Sequence, residues 1–565
     1  MKKDKSKPEQ SLSGEGSHER ALLWFLGALL VINGFQAAIT DLTGDEALYW
    51  MYSRHLDWGF KDHPPVIGLF TAAGSTLFSG ALGVRFFVIL ANALTLLLLY
   101  RLARPASFWP FALLVATLPV LHIYGFIAAP DVPLLLAAAA YLLAWRKFLE
   151  EDSMKNTLLL GVWMAALVWS KYHGILIILF TWLPHRKLWF HPKFWLAGAS
   201  GVLLFVPHIL WQIAHDLPTV KFHIVERSGE WRWSNLTEFV LGQFGVFNPL
   251  VVLCSVILLI RTRASDRFEQ SLRGLMVLTF LFFLFMSARG RVEAHWTAAC
   301  VFPITILLVK YFPDWLTSKW FMRTSVILLI LISAARLALM VDFVPAIYRA
   351  FHRSKEKLKL VHSIAGDRPV CFMNSYQDPS LYMFYFPGKA HSIQNSEGGK
   401  NQYDWWNYNE FIHQKPFLFV ASYDAPGFQK ASSSEFDLHS RSYSDLPVLH
   451  GLDIRPEPWR YEVNSGDSLI MNFEVINKNS YPLNLSDTIH PIRWNFLMGY
   501  KKMWQQTRIP EWLVFPNKLA PGEHASGRLR LIMDVPEGSY RCGISARIDS
   551  LPQTYQSQWI RIEVH

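Results

Sequence analysis

Apolar residues run almost unbroken through much of the first 343 positions and are cut at intervals by short charged clusters. The runs fall at 21–38, 83–100, 108–122, 131–148, 157–170, 173–184, 195–212, 238–260, 272–287, 295–312 and 324–342. Most approach the roughly 20 residues that a helix needs to cross a bilayer. The stretch 157–184 carries Ser170-Lys171-Tyr172-His173-Gly174 in its middle and reads as one helix or two. Charge decides. With two short helices, the basic clusters Arg101/Arg104, Arg146/Lys147/Lys155, Arg186/Lys187/Lys193 and Arg261/Arg263/Arg267/Arg273 share one side, as the positive-inside rule requires. The expectation is therefore an α-helical polytopic membrane protein of about eleven spans. The N-terminus is then cytoplasmic and the C-terminus outside. Loops 39–82, 123–130 and 213–237 and the turns 171–173 and 288–294 face the exterior.

Beyond position 345 the pattern changes twice. Residues 344–366 are basic with apolar positions at helical spacing, which predicts a surface-lying connector helix. Short apolar runs such as Pro369–Asn374 and Phe417–Ser422 then predict a small α/β subdomain, making 346–448 one region. Residues 449–565 hold β-rich runs separated by turn signals such as Asn464-Ser465-Gly466-Asp467 and Ala520-Pro521-Gly522-Glu523, which predicts an Ig-like β-sandwich. The polar residues 1–20 read as a disordered tail, and 21–345 as the membrane module with juxtamembrane helices in its first loop. The run Ala21–Ala38 is too long for a signal-peptide core and reads as an anchor.

Composition agrees with the pattern. The chain is 52% hydrophobic and only 17% charged, against about a quarter in soluble domains. Its formal charge of +10 sits mostly in loops between apolar runs, where it sets orientation, so nucleic-acid binding is excluded. Cys254 and Cys300 lie in apolar runs as packing residues, and for Cys371 and Cys542 the spacing leaves pairing open.

The densest chemistry follows the first run, in DLTGDEALYWMYSRHLDWGFKDHPP, residues 41–65. Thr43 followed three positions later by Glu46 is a capping-box signature for a helix from about Gly44. Down that helix Asp45, Tyr49 and Ser53 share one face, beside Glu46, Trp50 and Arg54. Polar residues continue through Asp57, Lys61, Asp62 and His63, more than a cap requires. Asp131 opens a span in AAPDVP; SARGRVEAHW carries Arg289, Arg291, Glu293 and His295; SKYHG carries Lys171 and His173. Each alone is compatible with an N-cap or interfacial anchor, but together they put carboxylates and cations on one membrane face. Tyr49, Trp50, Trp58, Trp231 and Trp233 suit either sugar stacking or an interfacial belt.

Asp-Glu just after the first span, a downstream Asp-His-Pro-Pro and a span-opening Pro-Asp-Val-Pro together resemble the GT-C glycosyltransferases. The likeness is to the family 39-type bacterial branch of protein O-mannosyltransferases and lipid A aminoarabinose transferases. The resemblance covers about residues 20–345 and implies an inner-membrane enzyme. Its donor would be a polyprenyl-phosphate sugar, with undecaprenyl phosphate as carrier, and a lipid, glycan or protein acceptor would be met at the periplasmic face with inversion. It implies Asp45 as general base, with Glu46 beside it and Asp131 orienting acceptor or base. Arg54, Lys61, His63, Arg289, Arg291 and Lys171 are candidates to meet the leaving phosphate. Tyr49, Trp50, Trp58 and His295 are candidates to bind sugar or acceptor. Asp62 and His223 are candidates to approximate that branch's divalent-metal pair. Two other readings remain at this stage, a flippase for a lipid-linked glycan and a membrane-anchored polysaccharide-binding protein. The absence of duplicated halves counts against the first, and the number of spans against the second.

Overall fold

The computed structural model describes residues 10–215, 217–221, 232–341, 344–345, 352–393, 401–406, 408–421, 423–432, 436–449, 451–500, 503–548, 551 and 554–565. It divides into two compact units, Met1–Phe351 and His352–His565.

The first unit runs α1 (Gln10–Ile39), α2 (Gly44–Arg54), α3 (Val66–Leu77), α4 (Gly80–Ala103), α5 (Phe108–Ala116), α6 (Pro119–Ile123), α7 (Asp131–Glu150), α8 (Met154–Ser170) and α9 (Gly174–Trp182). There follow α10 (Pro192–Ala214), α11 (Pro218–Lys221), α12 (Trp233–Phe247), α13 (Pro249–Arg261), α14 (Arg267–Arg289), α15 (Val301–Tyr311), α16 (Pro313–Thr317) and α17 (Lys319–Met340). Seven helices among the described residues are long and apolar enough to cross a bilayer: α1, α4, α7, α10, α14, α15 with its 3-10 lead from Ala294, and α17. The count reaches eight if α12 and α13, bent by 103° at their junction, form one span. The other expected spans are shorter pieces: α5 has nine residues, α8 seventeen and α9 nine. Pro119 ends α5 early by disfavouring helical backbone at the residue before it. The interruption at 171–173 does separate two helices, as the charge pattern required. Helix α1 starts at Gln10 rather than near 21, because extending an established helix costs little once a packed span has nucleated it.

The bend between α12 and α13 has a local cause. Asn248 adopts φ 64 and ψ 151, a strained backbone that its surroundings must hold in place. Its Oδ1 accepts from Val251 N–H, capping α13, while its Nδ2 donates to the Thr117 carbonyl left over at the end of α5. One buried amide therefore satisfies two broken helices at once.

In the second unit, α18 (Arg353–Ala365) and α19 (Gln377–Tyr385) pack on a five-stranded sheet. Its strands β1 (Val370–Met373), β2 (Ala390–Ile393), β3 (Phe417–Ala421), β4 (Gln429–Ser432) and β5 (Asp437–Tyr443) are ordered β2-β1-β3-β5-β4. The apolar stripe Leu358, Val361 and Ala365, expected on a membrane surface, is buried within this unit instead. Its spacing fits either fate, and α19 and β3 supply the partner.

Residues 452–564 form β6 (Leu452–Glu457), β7 (Arg460–Val463), β8 (Ser468–Asn477), β9 (Leu483–Asn484), β10 (Ile492–Tyr500), β11 (Met503–Arg508), β12 (Glu511–Val514), β13 (Lys518–Leu519), β14 (His524–Ile532), β15 (Gly538–Ile548), β16 (Thr554–Tyr555) and β17 (Ile560–Val564). One sheet is ordered β11-β10-β15-β17-β7 and another β12-β14-β8-β6. Met471, Phe473 and Val475 of the second share a core with Phe496, Ile544 and Ile562 of the first, the inward side of a period-two alternation. All four cysteines are free.

Candidate active site

The chain leaves α1 and turns into α2 through one buried joint. Glu46 Oε1 and Oε2 accept from Arg85 Nε at 2.6 Å and Nη2 at 2.7 Å, and both side chains are fully buried. The remaining Arg85 donors reach the carbonyls of Ala37, Thr40 and Asp41 at 3.0, 2.6 and 3.0 Å, groups that the end of α1 would leave orphaned. Glu46 also closes the capping box with Thr43 and accepts the Ala128 N–H at 2.8 Å. The expected cap is thus present. A carboxylate accepting five hydrogen bonds has no lone pair facing an acceptor, so the geometry of Glu46 is that of a strut. Its neighbour Asp45 lies on the exposed side of the same turn.

The Glu46–Ala128 bond joins the first acidic cluster to the second. Three residues after Ala128, Asp131 opens α7, and its two oxygens accept from Lys171 Nζ at 2.9 and 2.8 Å. Both side chains are almost entirely buried. Tyr124 is buried beside Asp131. His295, in the 3-10 lead to α15, lies in the field of Asp131, Lys171, Glu293 and Asp45, and its ring meets Tyr124 edge-on at 6.3 Å. His173 packs between Phe283 and Trp296 at 5.4 and 4.7 Å. Asp45, Asp131, Lys171 and His295 are therefore one electrostatic neighbourhood, built from residues 250 positions apart.

Residues 57–63 form a strap between α2 and the end of α10. On one side α2 holds it: Phe60 stacks on Tyr52 at 3.7 Å, and His63 meets Tyr49 edge-on at 5.8 Å. On the other side, the end of α10 and α11 hold it through Trp211 Nε1–H to Asp57 at 2.7 Å, His208 to the Trp58 carbonyl at 2.7 Å and Thr219 O–H to the Lys61 carbonyl at 2.7 Å. Gly59 is required where the strap crosses α10, since a Cβ there would stand 2.5 Å from the Trp211 ring and 2.8 Å from His208. Within the strap Lys61 is buried, with Asp62 and His63 partly buried.

The other candidates lie around the rim. Arg54 sits over the Trp50 ring at 5.8 Å, Trp58 is exposed and 6.0 Å from Trp169, Arg289 covers Phe285 at 5.0 Å and Arg291 pairs with Glu293 at 3.2 Å. Tyr49 is buried rather than open for stacking. His223 and Trp231 lie outside the described residues, and the Asp62–His223 pair with them. Among the described residues, no three His, Cys, Asp or Glu side chains gather as a metal site. Sequence reasoning missed Arg85, Tyr172, His208, Gln212 and Thr219. An ionisable residue inside an apolar run, as in GVRFFVIL and FVPHILWQI, was the available signal for two of them.

Residues 62–211 match the family model described as dolichyl-phosphate-mannose-protein mannosyltransferase. The lipid A galacturonosyltransferase RgtD of Rhizobium johnstonii is 27% identical over 319 residues, 52% of this chain and 65% of that protein. The resemblance to GT-C glycosyltransferases holds. The chain is a polytopic helical membrane protein with a sheet-rich C-terminal region, and it aligns with somewhat under two thirds of that relative's length. Of the GT-C-type candidates, Asp62, His63, Asp131 and Lys171 lie inside the family-matched segment, together with the strap-holding His208 and Trp211, while Asp45 precedes it.

Proposed function

We propose that this chain is an integral-membrane glycosyltransferase of the inner membrane that moves a sugar from a polyprenyl-phosphate donor to an acceptor at the exoplasmic face. The observation that carries the reading is the contrast between its two aspartates. Both oxygens of Asp131 are tied to a buried ammonium, which makes it a poor proton acceptor and a good fixed orienting group. Asp45 is exposed, one residue from a rigid strut and in the same electrostatic neighbourhood. Asp45 takes the proton of the acceptor hydroxyl as that oxygen bonds to the anomeric carbon. The carbon–oxygen bond to the lipid phosphate breaks on the opposite face, inverting the centre, and the phosphate leaves with the electron pair. Lys61, and Lys171 to the extent that Asp131 leaves its charge uncompensated, meet that charge, with Arg54, His63, Arg289 and Arg291 at the rim. Glu46 holds the base in place and transfers no proton.

Since the named relative is a lipid A galacturonosyltransferase, a lipid A-type glycolipid acceptor and undecaprenyl-phosphate carrying a uronic acid are the first substrates to try. The C-terminal sheets, which we read as an Ig-like sandwich, would position the acceptor. The test is transfer by the full chain in lipid nanodiscs. Asp45→Asn lowers turnover by about 10²–10⁴-fold, the range of a lost general base, while the protein stays folded. Wild-type turnover by that variant would overturn the assignment.

A further inference from the structure

Between Lys171 and His173, the turn that joins α8 to α9 presents one side chain to a wholly different set of partners. The Tyr172 hydroxyl lies 2.9 Å from His208 Nε2, 3.1 Å from Thr219 Oγ1 and 3.0 Å from Gln212 Nε2. Gln212 Nε2 also reaches Thr219 Oγ1 at 2.8 Å. Burial raises the Tyr172 phenol well above its ordinary range, so it keeps its proton at every physiological pH.

The two backbone carbonyls at the strap fix the direction of the bonds that reach them. A carbonyl only accepts, so His208 Nδ1 carries the proton that goes to Trp58 O, and Nε2 of the neutral ring is an acceptor. Two donors lie within reach of Nε2, the Tyr172 hydroxyl at 2.9 Å and the Gln212 amide at 3.3 Å. Likewise Thr219 spends its only proton on Lys61 O. The Gln212 NH₂ group also lies within reach of both hydroxyl oxygens. The network begins at the turn that carries Lys171 and ends on the backbone of the strap that carries Lys61.

We propose that Tyr172 is a positioning residue for the donor side of the site: through His208, Gln212 and Thr219 it fixes the strap 57–63 to the Lys171 turn. The spacing between Lys61 and Lys171, the two buried lysines of the site, is thereby set. The lipid-phosphate role of those lysines rests on the glycosyl-transfer reading; the latch itself does not. Its specific consequence is a split in kinetics. Loosening the strap releases Lys61 and weakens donor binding, while Asp45, held by the Arg85–Glu46 joint on another element, keeps its place.

The experiment uses full-length protein in lipid nanodiscs with three variants: Tyr172→Phe, Thr219→Val, which replaces the hydroxyl by a methyl of the same shape, and Thr219→Ser, which restores it. Amide hydrogen exchange over 57–63 is read in the absence of substrate. Loss of one net hydrogen bond predicts roughly tenfold faster exchange there in Tyr172→Phe and Thr219→Val, with Thr219→Ser at the wild-type rate. In transfer assays the first two variants show the donor KM raised about 5–20-fold with kcat within about twofold, the signature of lost binding energy rather than lost chemistry. Unchanged exchange at 57–63 overturns the latch. Faster exchange accompanied by a fall in kcat at constant KM overturns the donor-side role, because that result is what a loss of folded enzyme produces. Faster exchange in the variants with no sugar transfer by the wild type leaves the latch standing and removes the glycosyl-transfer reading.

Discussion

Glu46 and Arg85, 39 positions apart and both fully buried, form a doubly hydrogen-bonded ion pair that caps the end of α1 and the start of α2 together. All five guanidinium N–H groups are used within 3.0 Å. Lysine offers a point charge and three donors that cannot span those acceptors. Arg85→Lys should therefore cost about 3 kcal/mol, near the lower end for breaking a buried pair. Arg85→Met should abolish accumulation of folded protein. Fluorescence-detected size exclusion and thermal melts in detergent check both; an Arg85→Lys protein melting like wild type would show the joint to be dispensable.

The Asp131–Lys171 pair separates structure from chemistry. Lys171→Met strands a buried carboxylate, for which about 3–5 kcal/mol of destabilisation is expected. The double variant Asp131→Leu, Lys171→Leu removes both charges and should recover most of the folded yield, since replacing a buried pair by apolar side chains is often nearly neutral. Transfer should remain absent in the double variant. Measurable turnover by it would leave Asp131 with no part in orienting the reaction.

How far the sequence carried these relationships depended on distance along the chain. The Thr43–Glu46 capping box was legible because it is local, and the two-helix reading of 157–184 because charge sidedness is a global constraint on short loops. Helix α3 falls in loop 39–82, where juxtamembrane helices were expected, and its twelve residues, Thr71, Ser75 and Thr76 among them, are too few to declare a span. Its Thr71 hydroxyl reaches the Tyr49 carbonyl at 2.9 Å and so holds α2 from beneath. Partnerships across tens or hundreds of positions left only the fact of a polar residue in an apolar run. Arg336 is the extreme case: it bonds Asn33, Gln36 and His122, neutral groups on α1 and α6, which no pairing of opposite charges would have found. Asp45, Asp131, Lys171 and His295 stood in the sequence only as separate segments, and the contrast between exposed Asp45 and buried Glu46 needed the position of Arg85.

The crossing of α8 and α10 depends on the absence of a side chain. A Cβ on Gly161 would stand 2.6 Å from the Ala197 carbonyl and would collide with Ser200 Oγ. Small residues let membrane helices approach closely enough for dispersion to hold them. Gly161→Leu should force the helices apart and move His208, far along α10, relative to Tyr172 at the end of α8. The expected result is at least about 2 kcal/mol of lost stability, in the range for overpacking. Faster hydrogen exchange over the strap should accompany it, whereas Gly198→Ala, with open space around it, should change neither. Equal behaviour of the two variants would mean that the crossing does not set the latch.

In the C-terminal unit the acid sensitivity should come in part from one imidazole. His413 stacks on Tyr481 with ring centres 3.7 Å apart, and its Nδ1 accepts the Val448 N–H at 3.1 Å. Burial, with the nearby charge of Lys415, pushes the ring from 6.5 down to about 4. Protonating Nδ1 would forfeit the Val448 bond as well as bury a charge. Between pH 6.5 and about 4 the unfolded chain therefore binds this proton and the folded chain does not. The contribution is fully present above pH 6.5, declines as pH falls, and is gone once pH passes through about 4. His413→Asn keeps an acceptor near the Nδ1 position but cannot titrate. Its melting temperature should fall less than that of the wild type between pH 7 and about pH 4.5, the other titrating groups being common to both. Parallel melting curves for the two proteins across that range would assign the acid sensitivity elsewhere.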